Sequence, residues 1–223
     1  MIIAQTNSKG GVGKSTLAVH LVIWLKEQGR TVALVDADVQ GSSSVWLREA
    51  EPQVEVFRLQ TPDDVLDQIP RLLAQFDDIV IDGPAGLSEV TRAILLLADL
   101  ACLPCGPSVL DLRAANDAIR VVRQVRQIRQ GPPAVILVPN KLQVRYRLSR
   151  EFLETARSLE IPTTSGLRLR QAYADSAGQG TVVWRLNTRS GREATDEIQT
   201  LFRELSTYDG RGKTIDEPGV ANG

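Results

Sequence analysis

Nine residues near the amino terminus, Ser8-Lys-Gly-Gly-Val-Gly-Lys-Ser-Thr16, combine flexible backbone, cations and hydroxyls in the proportions an anion site needs. Gly10, Gly11 and Gly13 let backbone N–H groups crowd round a phosphate, with Val12 between them. A helix opening near Ser15 would add the partial positive charge of its first turn. Lys14 is spaced to reach the outer phosphates, and the Ser15 hydroxyl, next to Thr16, to hold magnesium. The first glycine of the usual G-x-x-x-x-G-K-[ST] pattern is replaced by Ser8, and Lys9 beside it is a second cation that the pattern does not require.

Carboxylates suited to a nucleotide-hydrolysing centre follow. Asp82 closes the apolar run DIVID, so it emerges at the carboxyl end of a strand, where a magnesium-supporting carboxylate belongs. The run VDAD supplies Asp36 and Asp38, for which we expect a division of labour. Asp36 supports the metal site, and Asp38 faces the γ-phosphate and orients the attacking water. The late segment PNKLQ has Gln143 where a guanine reader carries aspartate; an amide cannot accept both guanine N–H groups, so adenine is favoured, with Asn140 as its contact.

These residues need a scaffold that brings strand ends together. Short β-branched runs, MIIAQTN, TVALVDA, VEVFRL, DIVIDG, LACLPCG and AVILVPN, alternate with helical stretches. That order implies an α/β fold of P-loop NTPase type, with a mostly parallel twisted β-sheet and helices on both faces. Helices are expected from Ser15 to about Gln28 and from Thr61, with an N-cap and first-turn proline, towards a kink or early end at Pro70. Another runs through LRAANDAIRVVRQVRQIRQ to Gly131, and a last one from about Arg192 to Leu205. Residues 1–206 read as one P-loop domain, and the polar, glycine-rich residues 207–223 as a disordered tail.

Composition narrows the classes. The 223 residues are 43% hydrophobic and 24% charged, with a formal net charge of -1, which argues against wholesale electrostatic capture by nucleic acid but leaves room for a local basic face. The start in MIIAQTN leaves no room for a signal peptide, and the run AILLLADLACLP contains Asp99 and is shorter than the ~20 residues that span a bilayer, so a cytoplasmic protein is expected. Cys102 and Cys105 lack a second ligand pair and read as buried strand residues. His20, the one histidine, reads as a structural residue of its helix.

The motifs together resemble the ParA/MinD family of deviant Walker A P-loop ATPases, most of all its small ParA (ParF-like) partition members. KGGVGKST is similar to the deviant Walker A box, VDADVQGS to switch I and VIDGPAG to Walker B and switch II. PCGPSVLDLRAA and RLRQAYADSAGQGTVVWRL resemble later segments, so the likeness runs over roughly residues 1 to 205. The resemblance implies ATP and Mg2+ as cofactors and a homodimer in the ATP state. Lys9 then corresponds to the signature lysine that reaches the partner subunit's phosphates, Lys14 to the ordinary P-loop lysine and Asp38 to the residue required for hydrolysis. One departure lies in switch I, where Val39 replaces the common proline before Gln40.

Branches of the family differ in what they bind. The tail, with Asp209, Gly210, Asp216, Glu217 and Pro218, cannot present an apolar helical face, so no membrane attachment is expected. The first residues already form a strand, which leaves no expected operator-binding helix-turn-helix. Small ParA proteins bind nucleoid DNA non-specifically, and the candidates for this are Arg145, Arg147 and Arg150 with Arg168 and Arg170, because residues two apart in an extended segment face the same side. Arg120, Arg123, Arg126 and Arg129 instead wrap round a helix and read as a solvated surface.

The expected function is therefore a nucleoid-associated ATPase with weak basal turnover, stimulated by DNA and by a small adaptor or centromere-binding protein, that drives plasmid or chromosome partitioning. The same switch positioning a protein cargo, such as a carboxysome or chemoreceptor cluster, is the alternative within the family. A metabolic P-loop ligase or small-molecule kinase is the alternative outside it.

Overall fold

The computed structural model describes residues 1–143, 147–157 and 159–208; of residues 147, 148, 150 and 157 it describes the backbone alone. Six strands form one sheet: β1 (Ile2–Asn7), β2 (Val32–Asp36), β3 (Glu55–Arg58), β4 (Asp78–Ala85), β5 (Leu100–Cys105) and β6 (Ala134–Pro139), in the order β3-β2-β4-β1-β5-β6. Every pairing is parallel. All six expected strands are present, and the parallel arrangement follows from the helices that intervene between them.

Alternation along the strands builds two apolar faces. Ile3, Leu34, Val80, Cys102 and Ile136 point to one side, where α1 (Lys14–Glu27), α2 (Ser42–Ala50) and α8 (Arg189–Ser206) pack. Ile79, Ile81 and Ala4, with Ala101, Leu103, Val135 and Leu137, point to the other, beneath α3 (Pro62–Leu72), α4 (Glu89–Leu97), α5 (Val109–Arg129) and α6 (Arg147–Arg157). The short α7 (Gln171–Gly178) precedes a single 3-10 turn and α8. Both cysteines are buried and unpaired, as apolar strand residues are.

Local rules placed most helix ends. Thr61 caps α3 by accepting the Asp64 N–H, with Pro62 in the first turn, and Pro70 ends the helix only two residues later. The helix α5 begins at Val109, three residues before the apolar periodicity suggested, because the Ser108 hydroxyl caps it by accepting the Asp111 N–H while donating to Asp111 Oδ2. In the expected extended segment around RYRLSR the chain enters α6 at Arg147, so strand alternation does not carry on through Arg147 to Arg150. Arg145 and the side chains of Arg147 and Arg150 lie outside the described residues, as does the tail from 209 onward.

His20 illustrates how the first face is locked. It is fully buried at the middle of α1, its Nδ1 2.8 Å from the Thr16 carbonyl and its Nε2 accepting the Val183 N–H at 3.2 Å. Trp46, Tyr173 and Trp184 surround it edge-on at 5.3 to 5.9 Å. Burial holds this imidazole neutral, with its pKa lowered to about 4.

Candidate functional site

The sheet order reverses direction at β1, and ligands of open α/β sheets bind outside the carboxyl ends of strands at such a point. There a cleft of about 590 Å³ is lined by Gly10, Gly11, Gly13, Lys14, Ser15, Thr16, Asp38, Val39, Gln40, Ser42 and neighbours from β4. Two helix N-termini face it. Gly13 caps α1 at φ 101° and Gly41 caps α2 at φ 66°, neither with a side-chain cap or an acidic first turn. The leading N–H groups of α1 are left for an anion, and so are those of α2 apart from the Ser44 N–H, which Asp36 accepts. A Cβ on Gly13 would stand 2.2 Å from Asn140 Nδ2, so both the conformation and the space demand glycine there.

Lys14 is buried at the cleft floor, its Nζ 3.3 Å from the Lys9 carbonyl. Desolvation lowers its pKa, and the nearby Asp82 and Asp38 carboxylates oppose that effect. Asp82 is fully buried, with neither carboxylate oxygen in a hydrogen bond of ordinary geometry. Its pKa is pushed up to about 6, chiefly by desolvation, although the Ser15 and Ser43 hydroxyls lie close enough to moderate the rise. A buried carboxylate without partners beside a P-loop hydroxyl fits a hard divalent cation, whose charge would relieve the desolvation.

Asp36 has a different arrangement. Its Oδ1 accepts the Asp38 N–H at 3.1 Å, and its Oδ2 accepts the Ser44 N–H at 2.9 Å and the Ser44 hydroxyl at 2.5 Å. It caps α2 from a distance and anchors the loop to Asp38, so any support it gives a metal passes through that loop. Asn140 is also engaged: its Nδ2 donates to the Val12 carbonyl at 2.7 Å and its Oδ1 accepts the Lys141 N–H. It braces the P-loop from below, and the exposed Lys141 above it donates to the Gly11 carbonyl.

Lys9 turns away from the cleft that Lys14 occupies. Its ammonium meets Asp111 Oδ1 at 2.5 Å, with the lysine side chain 43% exposed. Sequence reasoning missed this partner, although the Ser108-x-x-Asp111 capping box was a readable signal for the aspartate. It also missed Arg58, whose guanidinium donates to the Asp38 and Val39 carbonyls.

The extended segment carrying Arg168 and Arg170 does present both on one side, as their spacing predicts. That side faces α8. Arg168 pairs with Glu197 at 3.4 Å, and Arg170 bridges Glu193 and Glu197 at 2.5 and 2.6 Å with only 14% of its side chain exposed. Arg168 keeps 55% of its side chain exposed beside its one partner, whereas the Arg170 charge is held by two carboxylates and is not free for a polyanion.

A parallel sheet, a glycine-rich loop between β1 and α1, and a lysine and hydroxyl at the start of that helix define a P-loop nucleotide-binding protein. The model of the CobQ/CobB/MinD/ParA nucleotide binding domain matches residues 3–183, and the chain belongs to that family. The chain is similar to maintenance of carboxysome distribution protein A of Halothiobacillus neapolitanus, 32% identical over 91% of this chain and 95% of that one. It is also similar to the sporulation initiation inhibitor protein Soj of Bacillus subtilis, 27% identical over 91% of this chain and 80% of that one. Among solved structures, an ATP complex of a variant of Cyanothece McdA superposes with a TM-score of 0.76 over 92% of this chain and 94% of that one, at 15% identity, a likeness of fold.

Proposed function

We propose that this protein is an ATP-dependent dimerisation switch that hydrolyses ATP with magnesium and distributes a large cargo over nucleoid DNA. The observation that carries the reading is the separation of the two lysines: Lys14 lies in the cleft and Lys9 turns out of it to a half-exposed pairing with Asp111. A cation at the rim, outside its own phosphate site, is available to a second copy. Phosphates of two facing subunits cannot approach without cations between them, so ATP favours the dimer and hydrolysis removes that bias.

In this reading Gly10, Gly11, Val12, Gly13, Ser15 and Thr16 cradle the phosphates with backbone N–H groups and hydroxyls, and Lys14 neutralises the outer charge. Asp38 orients the attacking water. Ser15 and Asp82 hold magnesium, which supplies charge neutralisation between the phosphates, and Asp36 keeps the Asp38 loop in place. Asn140 sets the adenine side while bracing the loop. Lys9 leaves Asp111 to serve the partner's site.

Turnover is slow alone and raised by DNA and a small adaptor. The Halothiobacillus relative, similar over nearly its whole length, supports a protein assembly as cargo. A plasmid or chromosome region as cargo is the second reading. DNA contact is non-specific and falls to the arginine-rich segment of Arg145, Arg147 and Arg150, helped by Arg168; Arg170 is held by its carboxylates. In this reading the protein works in the cytoplasm, on the nucleoid; among the described residues no helix is long and apolar enough to cross a membrane.

Sedimentation or light scattering with MgATP tests the switch. Asp38→Ala should be trapped as a dimer, and Lys9→Ala should stay monomeric. If both remain monomeric with every nucleotide, the face-to-face arrangement is wrong.

A further inference from the structure

The four residues from Asp38 to Gly41 form a tight turn. The Gly41 N–H donates to the Asp38 carbonyl at 3.0 Å, and the Gln40 N–H donates to Asp38 Oδ1 at 2.9 Å. Val39 therefore occupies the second position of a β-turn, where proline presets φ and a β-branched residue does not. Both ends of the loop are tied down, through the Asp36 carboxylate before it and α2 after it. Its middle is not: Val39 is 72% exposed and touches the cleft only at the rim. With no proline to preset φ at position 39, hydrogen bonds alone hold the exposed turn that carries Asp38.

Arg58 supplies the missing constraint. It is the last residue of the edge strand β3 and stands opposite Asp36 in the parallel register. From there its Nη2 donates to the Asp38 carbonyl at 3.2 Å and to the Val39 carbonyl at 3.1 Å. The guanidinium also lies over Gly41, where an added Cβ would meet Nη1 at 2.1 Å and Cζ at 2.8 Å. Among the described residues no carboxylate pairs with Arg58, so nothing else accounts for where its charge sits. One guanidinium nitrogen serves both adjacent carbonyls, and the rigid plane of the group fixes the directions of its N–H bonds, which a freely rotating ammonium does not.

We propose that Arg58 is a positioning residue for hydrolysis, a strap from the sheet edge that fixes the backbone of Asp38 in place of the rigidity a proline at position 39 would give. The inference rests on the reading of Asp38 as the residue that orients water. Small displacements of such a group are costly to rate and leave binding of the ground state unchanged.

The test is single-turnover hydrolysis of MgATP by the full chain, with Arg58→Ala made in two backgrounds, Val39 and Val39→Pro. In the first, we expect the hydrolysis rate to fall about tenfold with ATP affinity within about twofold, a loss equivalent to about 1.4 kcal/mol. In the second, the same substitution should cost about twofold or less, because proline already fixes the turn. Amide exchange of Gln40 and Gly41 should quicken in Arg58→Ala and slow again in the double variant. Arg58→Lys should fall between, and thermal melts confirm that each variant folds. Equal losses in both backgrounds, or a loss confined to ATP affinity, overturn the proposal. Asp38→Ala, run alongside, separates the two ideas: if it still hydrolyses ATP normally, the reading of Asp38 fails, whereas a dead Asp38→Ala with a fully active Arg58→Ala sinks the strap alone.

Discussion

Replacing Asp82 with asparagine should stabilise the nucleotide-free protein while impairing its response to magnesium. The carboxyl is buried with no hydrogen bond of ordinary geometry and only the Ser15 and Ser43 hydroxyls close by, and its pKa rises from 3.8 to about 6. Unfolded chains ionise this group near 3.8, so the folded state binds the extra proton between the two values. Stability from Asp82 is therefore lost as pH climbs through that window, and the full penalty is present above about 6. At about 1.4 kcal/mol per pH unit the penalty is about 3 kcal/mol. An asparagine amide in the same place needs partners of its own, which costs about 1 to 2 kcal/mol, so the net gain expected at pH 8 is about 1 to 2 kcal/mol. Below pH 4 the carboxylate penalty is gone and the amide cost remains, so the variant should become the less stable by about 1 to 2 kcal/mol. Urea denaturation of both proteins at pH 8 and pH 4, with and without magnesium and ATP, reads all of this. Wild type should gain stability from magnesium with nucleotide at pH 8, and the variant should gain less. An Asp82→Asn protein that is less stable than wild type at pH 8 without ligand would refute the argument, because the carboxylate would then have partners that the geometry denies it.

Gly13→Ala should abolish nucleotide binding and lower stability by about 2 kcal/mol or more, since the residue sits at φ 101° with Asn140 Nδ2 against the added methyl; isothermal titration and thermal melts check both. His20 has its pKa lowered to about 4, so the unfolded chain protonates first, and its contribution to stability is full above about 6.5 and is lost as pH falls towards 4. His20→Ala should therefore destabilise at pH 7.5 by about 3 kcal/mol and much less at pH 4.5, as measured by urea titration at the two values. Arg170→Ala should lower stability by about 1 to 2 kcal/mol yet leave the salt dependence of DNA binding unchanged, because its charge is held by Glu193 and Glu197; a smaller salt slope in fluorescence anisotropy would contradict that.

Much of the fold was legible because its causes are local. Five of the six strand runs are buried on both faces, with the edge strand β3 the exception, and a parallel sheet covered by helices on each side accommodates them. The start of α3 followed from a cap and a proline, and the phosphate loop from glycines whose φ values no other residue adopts at ease. The start of α5 was misplaced by three residues, because apolar periodicity outweighed the Ser108 cap. The extended reading of RYRLSR gave way to α6, since spacing alone cannot separate two faces of a strand from two faces of a helix.

By itself the sequence determined that a phosphate loop would sit at the end of a parallel sheet, with Lys14, Ser15, Asp38 and Asp82 round it. Backbone conformation and alternation are short-range properties, and residues next to one another in the chain decide them. Only the tertiary structure decided what each charge would meet. It set Lys9 against Asp111, occupied the oxygens of Asp36 with Ser44 and the Asp38 N–H, left Asp82 unpartnered, and gave Arg168 and Arg170 to the carboxylates of α8. Pairing energy depends on distance and burial between side chains far apart in sequence, and those distances exist only once the elements have packed.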